Sequence, residues 1–374
     1  MTVRTDIAII GAGIVGAACA LELAKEGASV AVVDSGFVGG GATAAGMGHI
    51  VVMDDSAPQF ALTRYSQTLW NELELEAPAN VEFERCGTIW VAADDEEMAA
   101  VRRKCSYYNE RGVRAEILDS KALREAEPNL REGLAGGLLV PGDSVLYPPC
   151  AAAFLLGKAR SLGAEIYLGH PAVAIGRGTA SIADGTTFVA KCVVNATGHT
   201  APKLTPGINV QPRKGHLVIT DRYPGLIRHQ LIELGYLKSA HAIQSDSVAF
   251  NVQPRKTGQL LIGSSRQYGI ETGEVDAAIL GRMLARAFEF IPGLARTSSI
   301  RTWTGFRAAT PDKLPLIGPW IEDPTVFLAT GHEGLGITTS LGTARLVCDQ
   351  IRGREPAIPI EPFLPSRQMS GAHA

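Results

Sequence analysis

The first stretch of the chain combines two hydrophobic patterns. Ile7 to Ile10 is a continuous apolar run, and residues 29–33 form a second one. Between them, alanine and leucine recur as they do along a helix. Short continuous apolar runs are typical of strands buried on both faces of a parallel sheet. The pattern from Asp6 to Asp34 therefore predicts a strand, a turn, a helix and a second strand.

Three glycines lie where the first predicted strand meets the helix. They have the spacing GxGxxG, in the run Gly11-Ala12-Gly13-Ile14-Val15-Gly16. Gly11 permits the tight turn, Gly13 lets the backbone approach a pyrophosphate, and Gly16 lets the helix pack closely on the strand. The helix would also point free N–H groups at the phosphates. These features predict a dinucleotide site, with an ordinary ligand-free βαβ unit as the alternative.

An acid follows the second predicted strand. Asp34 lies 18 residues after Gly16, where a carboxylate can accept hydrogen bonds from ribose hydroxyls. An acid at this position argues against a 2′-phosphate. The next segment, residues 35–48, consists mainly of glycine and alanine, and Met47 lies near its end. Small side chains leave room for a large ligand against the backbone, although the segment can also be read as a flexible surface loop.

Two later segments also place small or glycine-rich residues at the end of a predicted strand. The apolar strand-like run from Lys191 ends in Asn195-Ala196-Thr197-Gly198, and open α/β sheets bind ligands at the carboxyl ends of their strands. Residues 326–329 predict another strand, followed by the glycine-rich run 330–338 and a last helix from Thr339 to Ile351. The positive end of that helix could stabilise negative charge on a reduced cofactor ring.

Between Gln211 and Arg301 the sequence pattern changes to short predicted strands and turns, around one predicted helix from Asp276 to Phe290. We therefore predict an α/β plus α+β fold with two domains, both discontinuous in sequence. A Rossmann-like, cofactor-binding domain takes residues 1–80, 148–210 and 310–374, and a substrate domain with an antiparallel sheet takes residues 81–147 and 211–309.

Local signals in the predicted substrate domain are less specific. Ser120 is the expected N-cap of a short helix, and Gly137 to Tyr147 is expected to form a hairpin. The polar candidates for its interior are His216, Tyr236, His241, Arg266 and Tyr268. Each of these five can also be read as an edge or surface residue.

Composition narrows the class of protein. The chain has 374 residues, 46% hydrophobic and 20% charged, with a net charge of −3, as in an ordinary globular enzyme. No basic cluster indicates nucleic-acid binding, and no signal peptide or membrane-spanning run is evident, so we expect a cytoplasmic protein. The six cysteines lack CxxC pairs or metal-ligand spacing. They predict reduced packing residues and no metal site; covalent flavin attachment and an intersubunit cluster are the alternatives.

The motifs together resemble those of the FAD-dependent superfamily of D-amino acid oxidase, glycine oxidase and sarcosine oxidase. The resemblance is carried by GAGIVG with Asp34, GGGATAAGMG, VVNATG, TGFRAATPDKLPLIG and TGHEGLGITTSLGTA, which occur in family order over essentially the whole chain. Within the superfamily, GQLLIGSSRQYG looks most like D-hydroxyproline dehydrogenases, opine oxidase subunits and the hydrogen cyanide synthase flavoprotein.

The resemblance implies an extended FAD, with its pyrophosphate on the first glycine turn, its ribose on Asp34 and its adenine beside Val173. The loop after Asp34 would cover the flavin, and the last glycine turn would bind the flavin edge. The residues assigned to FAD are Gly11, Ala12, Gly13, Ile14, Val15, Gly16, Asp34, Ser35, Gly41, Ala42, Thr43, Ala45, Gly46, Met47, Val173, Ala196, Thr197, Gly198, Gly305, Gly331, His332, Glu333, Gly334, Leu335, Gly336, Ile337 and Thr338.

Arg307 matches the family arginine that pairs with a substrate carboxylate; its alternative role is a structural salt bridge. His332 is a candidate catalytic residue, and both His332 and His49 could contact flavin or substrate; a structural role is the alternative for each. Some relatives carry a lysine where this chain has Thr338, and no cysteine lies at the sarcosine oxidase attachment region. The resemblance therefore implies noncovalent FAD and argues against strict sarcosine oxidation.

By this resemblance, the chain oxidises the C–N bond of a small amino or imino acid by hydride transfer to flavin N5. D-hydroxyproline or another D-amino acid is the favoured substrate. Oxygen, a quinone or a partner subunit would take the electrons, and a homo- or hetero-oligomer is left open. The alternatives are a glycine- or sarcosine-type oxidase, a flavoprotein subunit of a multi-subunit opine, proline or glycine dehydrogenase complex, an NAD-dependent dehydrogenase, and a purely structural or binding protein.

Overall fold

The computed structural model describes residues 1–235 and 246–370. The strands are β1 (Thr2–Arg4), β2 (Ile7–Ile10), β3 (Val30–Asp34), β4 (His49–Ile50), β5 (Thr88–Ala92), β6 (Glu116–Asp119), β7 (Gly136–Val140), β8 (Ser144–Val145), β9 (Glu165–Leu168), β10 (Ala172–Gly176), β11 (Thr179–Ile182), β12 (Thr187–Val189), β13 (Cys192–Asn195), β14 (Gln211–Thr220), β15 (Gln230–Glu233), β16 (Ser247–Pro254), β17 (Leu260–Arg266), β18 (Ser299–Ala309), β19 (Leu316–Pro319) and β20 (Val326–Thr330). The α-helices are α1 (Ile14–Lys25), α2 (Gly41–Ala44), α3 (Ala57–Leu73), α4 (Asp95–Glu110), α5 (Ser120–Ala126), α6 (Pro148–Ser161), α7 (Ala277–Phe290), α8 (Gly336–Arg352) and α9 (Arg367–Ser370).

The first sheet is the predicted Rossmann-like one. Its strand order is β19-β20-β13-β2-β3-β9, and all pairs are parallel except β19 with β20. Ile7 and Ile9 pack with α1, α6 and α8 on one face, while Ala8 and Ile10 pack against the small sheet β1-β12-β11-β10 on the other. Burial on both faces explains why these strands read as continuous apolar runs.

The second large sheet has eight strands in the order β18-β14-β17-β16-β15-β5-β7-β6. Helix α7 covers one face, where Phe250 and Phe290 stack with ring centroids 4.4 Å apart. The pairs are antiparallel except β5 with β15, which run parallel. The mixed α/β architecture confirms the predicted fold class, whereas the proposed domain boundaries stay a prediction.

Two local predictions in this region are wrong. Residues 137–147 do not form a hairpin, because β8 leaves the large sheet and pairs with β4. The N–H of Leu146 donates to the carbonyl of Gly48 at 2.9 Å, which holds this segment against the loop before β4. The N-cap of α5 is Asp119, whose carboxylate accepts from the N–H of Ala122 at 2.8 Å.

All six cysteines are free, and Cys19, Cys105 and Cys348 are buried, which fits the predicted packing role. Within the described ranges, no helix combines the length and the apolar character that crossing a membrane requires.

The start of α1 depends on backbone-to-backbone contact. A Cβ at Gly16 would lie 1.9 Å from the carbonyl oxygen of Gly11. Gly11 has φ of +112°, and its own Cβ would lie 2.5 Å from the carbonyl oxygen of Ala196. Strands β2 and β13 and helix α1 therefore approach so closely that only glycine fits at these two positions.

We expect Gly16→Ala to lower the free energy of unfolding by about 1–3 kcal/mol, the usual cost of forcing an extra methyl into a close contact. Denaturant titration measures this change. The control is Gly281→Ala in α7, where an added Cβ meets nothing within 4 Å. Because alanine is the better helix former, the control should be neutral or stabilising. An equally stable Gly16→Ala protein would contradict the packing argument.

Candidate functional site

One cavity of about 730 Å³ lies between the two large sheets. Its wall includes Ile10 and Val33 at the carboxyl ends of β2 and β3, and Leu217 and Asn251 on the face of the eight-stranded sheet that α7 does not cover. Most of the residues assigned to FAD from the sequence line this cavity. The exceptions are Ala12, Gly16, Val173, Gly331 and Thr338.

The first glycine turn forms one end of the cavity. Helix α1 begins after Gly13, which has no side chain to cap the helix, and its first turn contains no acidic residue. The N–H of Ile14 donates to Thr43 Oγ1 at 3.0 Å, which ties the turn to α2. The positive end of α1 therefore faces the cavity without a carboxylate of its own, an arrangement that suits an anion.

Asp34 lines the same end and also braces it. Its Oδ2 accepts from the N–H of Ala12 at 2.6 Å, and its Oδ1 accepts from the N–H of Gly36 at 2.7 Å. A carboxylate offers about four lone-pair sites, so both oxygens keep capacity for ligand hydroxyls.

Val173, assigned to the adenine, is 60% exposed, and the cavity wall here comes from its neighbours Pro171 and Ala172.

The loop that carries Ala45 and Gly46 forms the middle of the wall. A Cβ at Gly305 would lie 2.3 Å from the Cβ of Ala45, and a Cβ at Gly46 would lie 2.6 Å from Cδ1 of Ile337. The loop is thus pressed against β18 and the start of α8. This packing argues against the flexible-loop interpretation of residues 35–48.

Thr338 does not line the cavity but hydrogen-bonds to the backbone at β4. Its Oγ1 donates to the carbonyl of His49 at 2.8 Å and accepts from the N–H of Val51 at 3.3 Å.

Helix α8 begins at Gly336, with no side-chain cap and no acid in its first turn. A second positive helix end therefore faces the cavity.

Two histidines in the wall are neutral near pH 7. Burial lowers the pKa of His332 to about 3, and its Nε2 lies 2.9 Å from Thr343 Oγ1. Burial also lowers the pKa of His49 to about 4, and the charge of Arg307 acts in the same direction. Neither ring supplies a positive charge at neutral pH.

Arg307 extends from β18 across its neighbour β14. A Cβ at Gly215 would lie 2.5 Å from one guanidinium nitrogen of Arg307, so the glycine makes room for this side chain. The same nitrogen donates to the carbonyl of Ser265 on β17 at 3.0 Å. The guanidinium therefore lies along the cavity wall between β14 and β17.

A hydrogen-bond chain on the opposite face supports this contact. The N–H of Asp276 donates to His216 Nε2 at 3.0 Å, and His216 Nδ1 lies 2.9 Å from Ser265 Oγ. An accepting Nε2 leaves the proton on Nδ1 of the neutral ring. His216, one of the polar candidates from the sequence, therefore lies behind the cavity wall and supports Ser265. Tyr236 and His241 lie outside the described residues.

Sequence reasoning did not identify the ion pair between Arg213 and Glu333. Arg213 Nη1 donates to Glu333 Oε1 at 2.8 Å, and Arg266 Nε lies 3.8 Å from the same oxygen. The guanidinium of Arg213 also lies 4.5 Å from the ring centroid of Tyr268. The side chains of Arg213, Arg266 and Glu333 are about nine-tenths buried and line the cavity. With Arg307, the cluster carries a formal positive excess that favours an anionic ligand.

Comparison with known proteins gives a consistent result. The model of the family DAO, FAD dependent oxidoreductase, matches residues 6–350. Glycine oxidase of Geobacillus kaustophilus (strain HTA426) is 30% identical over 387 residues, which cover 99% of this chain and 98% of the relative. The hydrogen cyanide synthase subunit HcnC of Pseudomonas aeruginosa is 28% identical over 97% of this chain and 96% of the relative. The crystal structure of the Geobacillus kaustophilus glycine oxidase matches with a TM-score of 0.87, 30% identity and coverage of 97% of this chain and 99% of that one.

We expect Gly215→Ala to displace the guanidinium of Arg307 and break its hydrogen bond to Ser265. The new methyl meets the end of a flexible side chain, so the cost should be that of one hydrogen bond, about 0.5–1.5 kcal/mol of unfolding free energy. A crystal structure and a denaturant titration measure the two effects. Gly157→Ala, where nothing lies within 4 Å of an added Cβ, is the control. A variant that keeps the Arg307–Ser265 hydrogen bond would contradict the geometry.

Proposed function

Because the chain belongs to the DAO family of FAD-dependent oxidoreductases, we propose that it oxidises the C–N bond of a small amino or imino acid that carries a carboxylate. D-hydroxyproline or another D-amino acid is the substrate that the sequence favours. Arg307 is the observation that carries this proposal, because its guanidinium lies in the wall of the cavity that contains the predicted FAD residues.

The residues present fit FAD. The start of α1 and the bare backbone at Gly13 would hold the pyrophosphate, Asp34 would hold the ribose, and the start of α8 would lie at the flavin edge. Among the described residues, the cavity wall contains no cysteine, which supports noncovalent binding. When bound, FAD supplies the acceptor for the hydride that leaves the carbon bearing the amine.

The protein's own contribution is binding and orientation. A guanidinium presents planar, parallel N–H donors, so Arg307 can bind a carboxylate with two hydrogen bonds while it keeps its contact with Ser265. Fixing the carboxylate restricts where the reacting carbon can lie, which lowers the entropic cost of reaching a reactive geometry. The start of α8 would stabilise negative charge that develops near it.

Proton transfer needs no strong base if the amine binds in its neutral form. His49 and His332 are neutral near pH 7, with pKa values lowered by burial, and can accept hydrogen bonds without repelling the substrate amine. Neither has the pKa near 7 that suits a general base.

Two further functions have specific support. The 30% identity to glycine oxidase over nearly the whole chain favours an oxidase that acts on glycine or a similarly small amino acid. The 28% identity to HcnC, whose name describes it as a subunit, favours a flavoprotein that passes electrons to partner chains. Fast reoxidation by oxygen would favour the oxidase, and slow reoxidation with rapid dye reduction would favour the subunit or a stand-alone dehydrogenase.

We expect Asp34→Ala to lose FAD during dialysis. Hydrogen bonds to charged groups contribute about 1.5–3 kcal/mol, so the dissociation constant of FAD should rise by about 10- to 150-fold. Flavin absorbance per mole of protein measures the loss. Asp184→Ala, an exposed position outside the cavity wall, is the matched control. An Asp34→Ala protein that stays fully yellow would rule out the ribose role.

We expect Arg307→Ala to raise KM for amino acid substrates by about 10- to 150-fold, the equivalent of about 1.5–3 kcal/mol, with normal FAD content. Steady-state kinetics measure the effect. Arg301→Ala is the control, because Arg301 lies on the same strand but is exposed. Unchanged kcat/KM in Arg307→Ala would disprove the assignment of Arg307 to the carboxylate.

A further inference from the structure

Two polar side chains in the cavity wall each have a buried oxygen without a hydrogen-bond partner in the described part of the chain. Asn251 on β16 is 6% exposed and Ser264 on β17 is 5% exposed, and both line the cavity. Among the described residues, neither Asn251 Oδ1 nor Ser264 Oγ has a hydrogen-bond partner. Leaving a buried polar atom unpaired is costly, so a ligand group that pairs with both atoms would be favoured.

The strand register places this pair relative to the carboxylate site. The guanidinium of Arg307 contacts the carbonyl of Ser265, the residue next to Ser264. Asn251 pairs with Gly263 on the adjacent strand. Gly263 precedes Ser265 by two residues on β17, and adjacent strands are about 4.8 Å apart, so Asn251 is displaced from the Arg307 contact both along and across the strands. Arg307, Asn251 and Ser264 all line the same cavity, where one small substrate can reach them.

The surroundings of Asn251 are apolar. Its neighbour across the β15–β16 pair is Ile232, which also lines the cavity. On the other side, a Cβ at Gly263 would lie 2.9 Å from the sulfur of Met47 and 3.1 Å from Leu217. A carbon skeleton can pack against these side chains.

The chemistry of the pair fits a hydroxyl group. The Oδ1 of Asn251 accepts a hydrogen bond, and the hydroxyl of Ser264 can donate one. A substrate hydroxyl donates one hydrogen bond and accepts others, so it satisfies both residues together. A second carboxylate has no proton to give to Oδ1 and therefore fits less well.

We propose that Asn251 and Ser264 form a subsite for a hydroxyl on the carbon skeleton of the substrate. The proposal rests on the proposed function, because it takes the carboxylate position from Arg307. The enzyme would then prefer a hydroxylated amino or imino acid over its unsubstituted counterpart. A site built to hydrogen-bond a hydroxyl discriminates strongly against analogues that lack it.

The test compares matched substrate pairs. Both enantiomers of 4-hydroxyproline and proline, and of serine and alanine, are mixed anaerobically with the FAD-loaded enzyme, and kcat/KM is obtained from flavin reduction. We expect the hydroxylated member of at least one pair to be favoured by about tenfold or more. Ser264→Ala and the nearly isosteric Asn251→Leu should each lower this ratio to near one.

The matched control is Ser144→Ala. Ser144 is as buried as Ser264 and its hydroxyl also lacks a partner among the described residues, but it lies outside the cavity wall. This control should keep the wild-type ratio. A second readout is the dissociation constants of 4-hydroxybutyrate and butyrate, measured from perturbation of the flavin spectrum, which should show the same preference and the same loss in Ser264→Ala.

Three results would overturn the subsite. Equal rates within every pair in the wild type would do so, as would an equal loss for both members of a pair in the Ser264→Ala protein. A ratio that survives both substitutions would also do so. These results leave the proposed function intact. If no amino or imino acid reduces the flavin, the proposed function fails, and the subsite fails with it.

Discussion

A side chain at Gly16 would collide with the carbonyl of Gly11, so α1 can lie against β2 only through bare backbone. This contact fixes the start of α1 at the carboxyl end of the first sheet. It thereby sets the position of the glycine turn, of Asp34 and of the small-residue loop that follows. A second close contact, between Gly305 and Ala45, brings β18 of the other sheet onto that loop. The cavity exists where these two contacts bring the sheets together.

The two sides of the cavity carry positive charge of different origin. The starts of α1 and α8 present positive helix ends without acidic side chains, which suits the phosphates and the reducible ring of FAD. On the eight-stranded sheet, Arg213 and Glu333 form a buried ion pair, and Arg307 lies across Gly215. In the proposed arrangement, FAD is held mainly by backbone and Asp34 and the substrate by side chains of the other sheet, so substrate preference could change with little effect on FAD binding.

The parts of the fold that follow from local pattern were predictable. The continuous apolar runs and the GxGxxG spacing predict β2, α1 and β3, and the helix predicted from Asp276 to Phe290 is present as α7 (Ala277–Phe290). The parallel pairing of β5 with β15, and the departure of β8 to pair with β4, depend on contacts between distant segments that periodicity does not report.

The same limit applies to the site. The Arg213–Glu333 pair and the contact between His216 and Ser265 join residues 120 and 49 positions apart, and no spacing rule connects them. Motif resemblance indicated Arg307 and the glycine turns. The register of β14, β17 and β18 supplied the reason why Gly215 must be small and why Ser265 lies beside the guanidinium.

The most direct test of the account is anaerobic reduction of the purified, FAD-loaded protein by a panel of amino and imino acids that includes both enantiomers of proline and 4-hydroxyproline, with glycine, sarcosine and D-alanine. The account predicts that at least one member bleaches the flavin absorbance band, and that a D-imino acid does so fastest. A protein that binds no flavin, or a bound flavin that no member of the panel reduces, would contradict it.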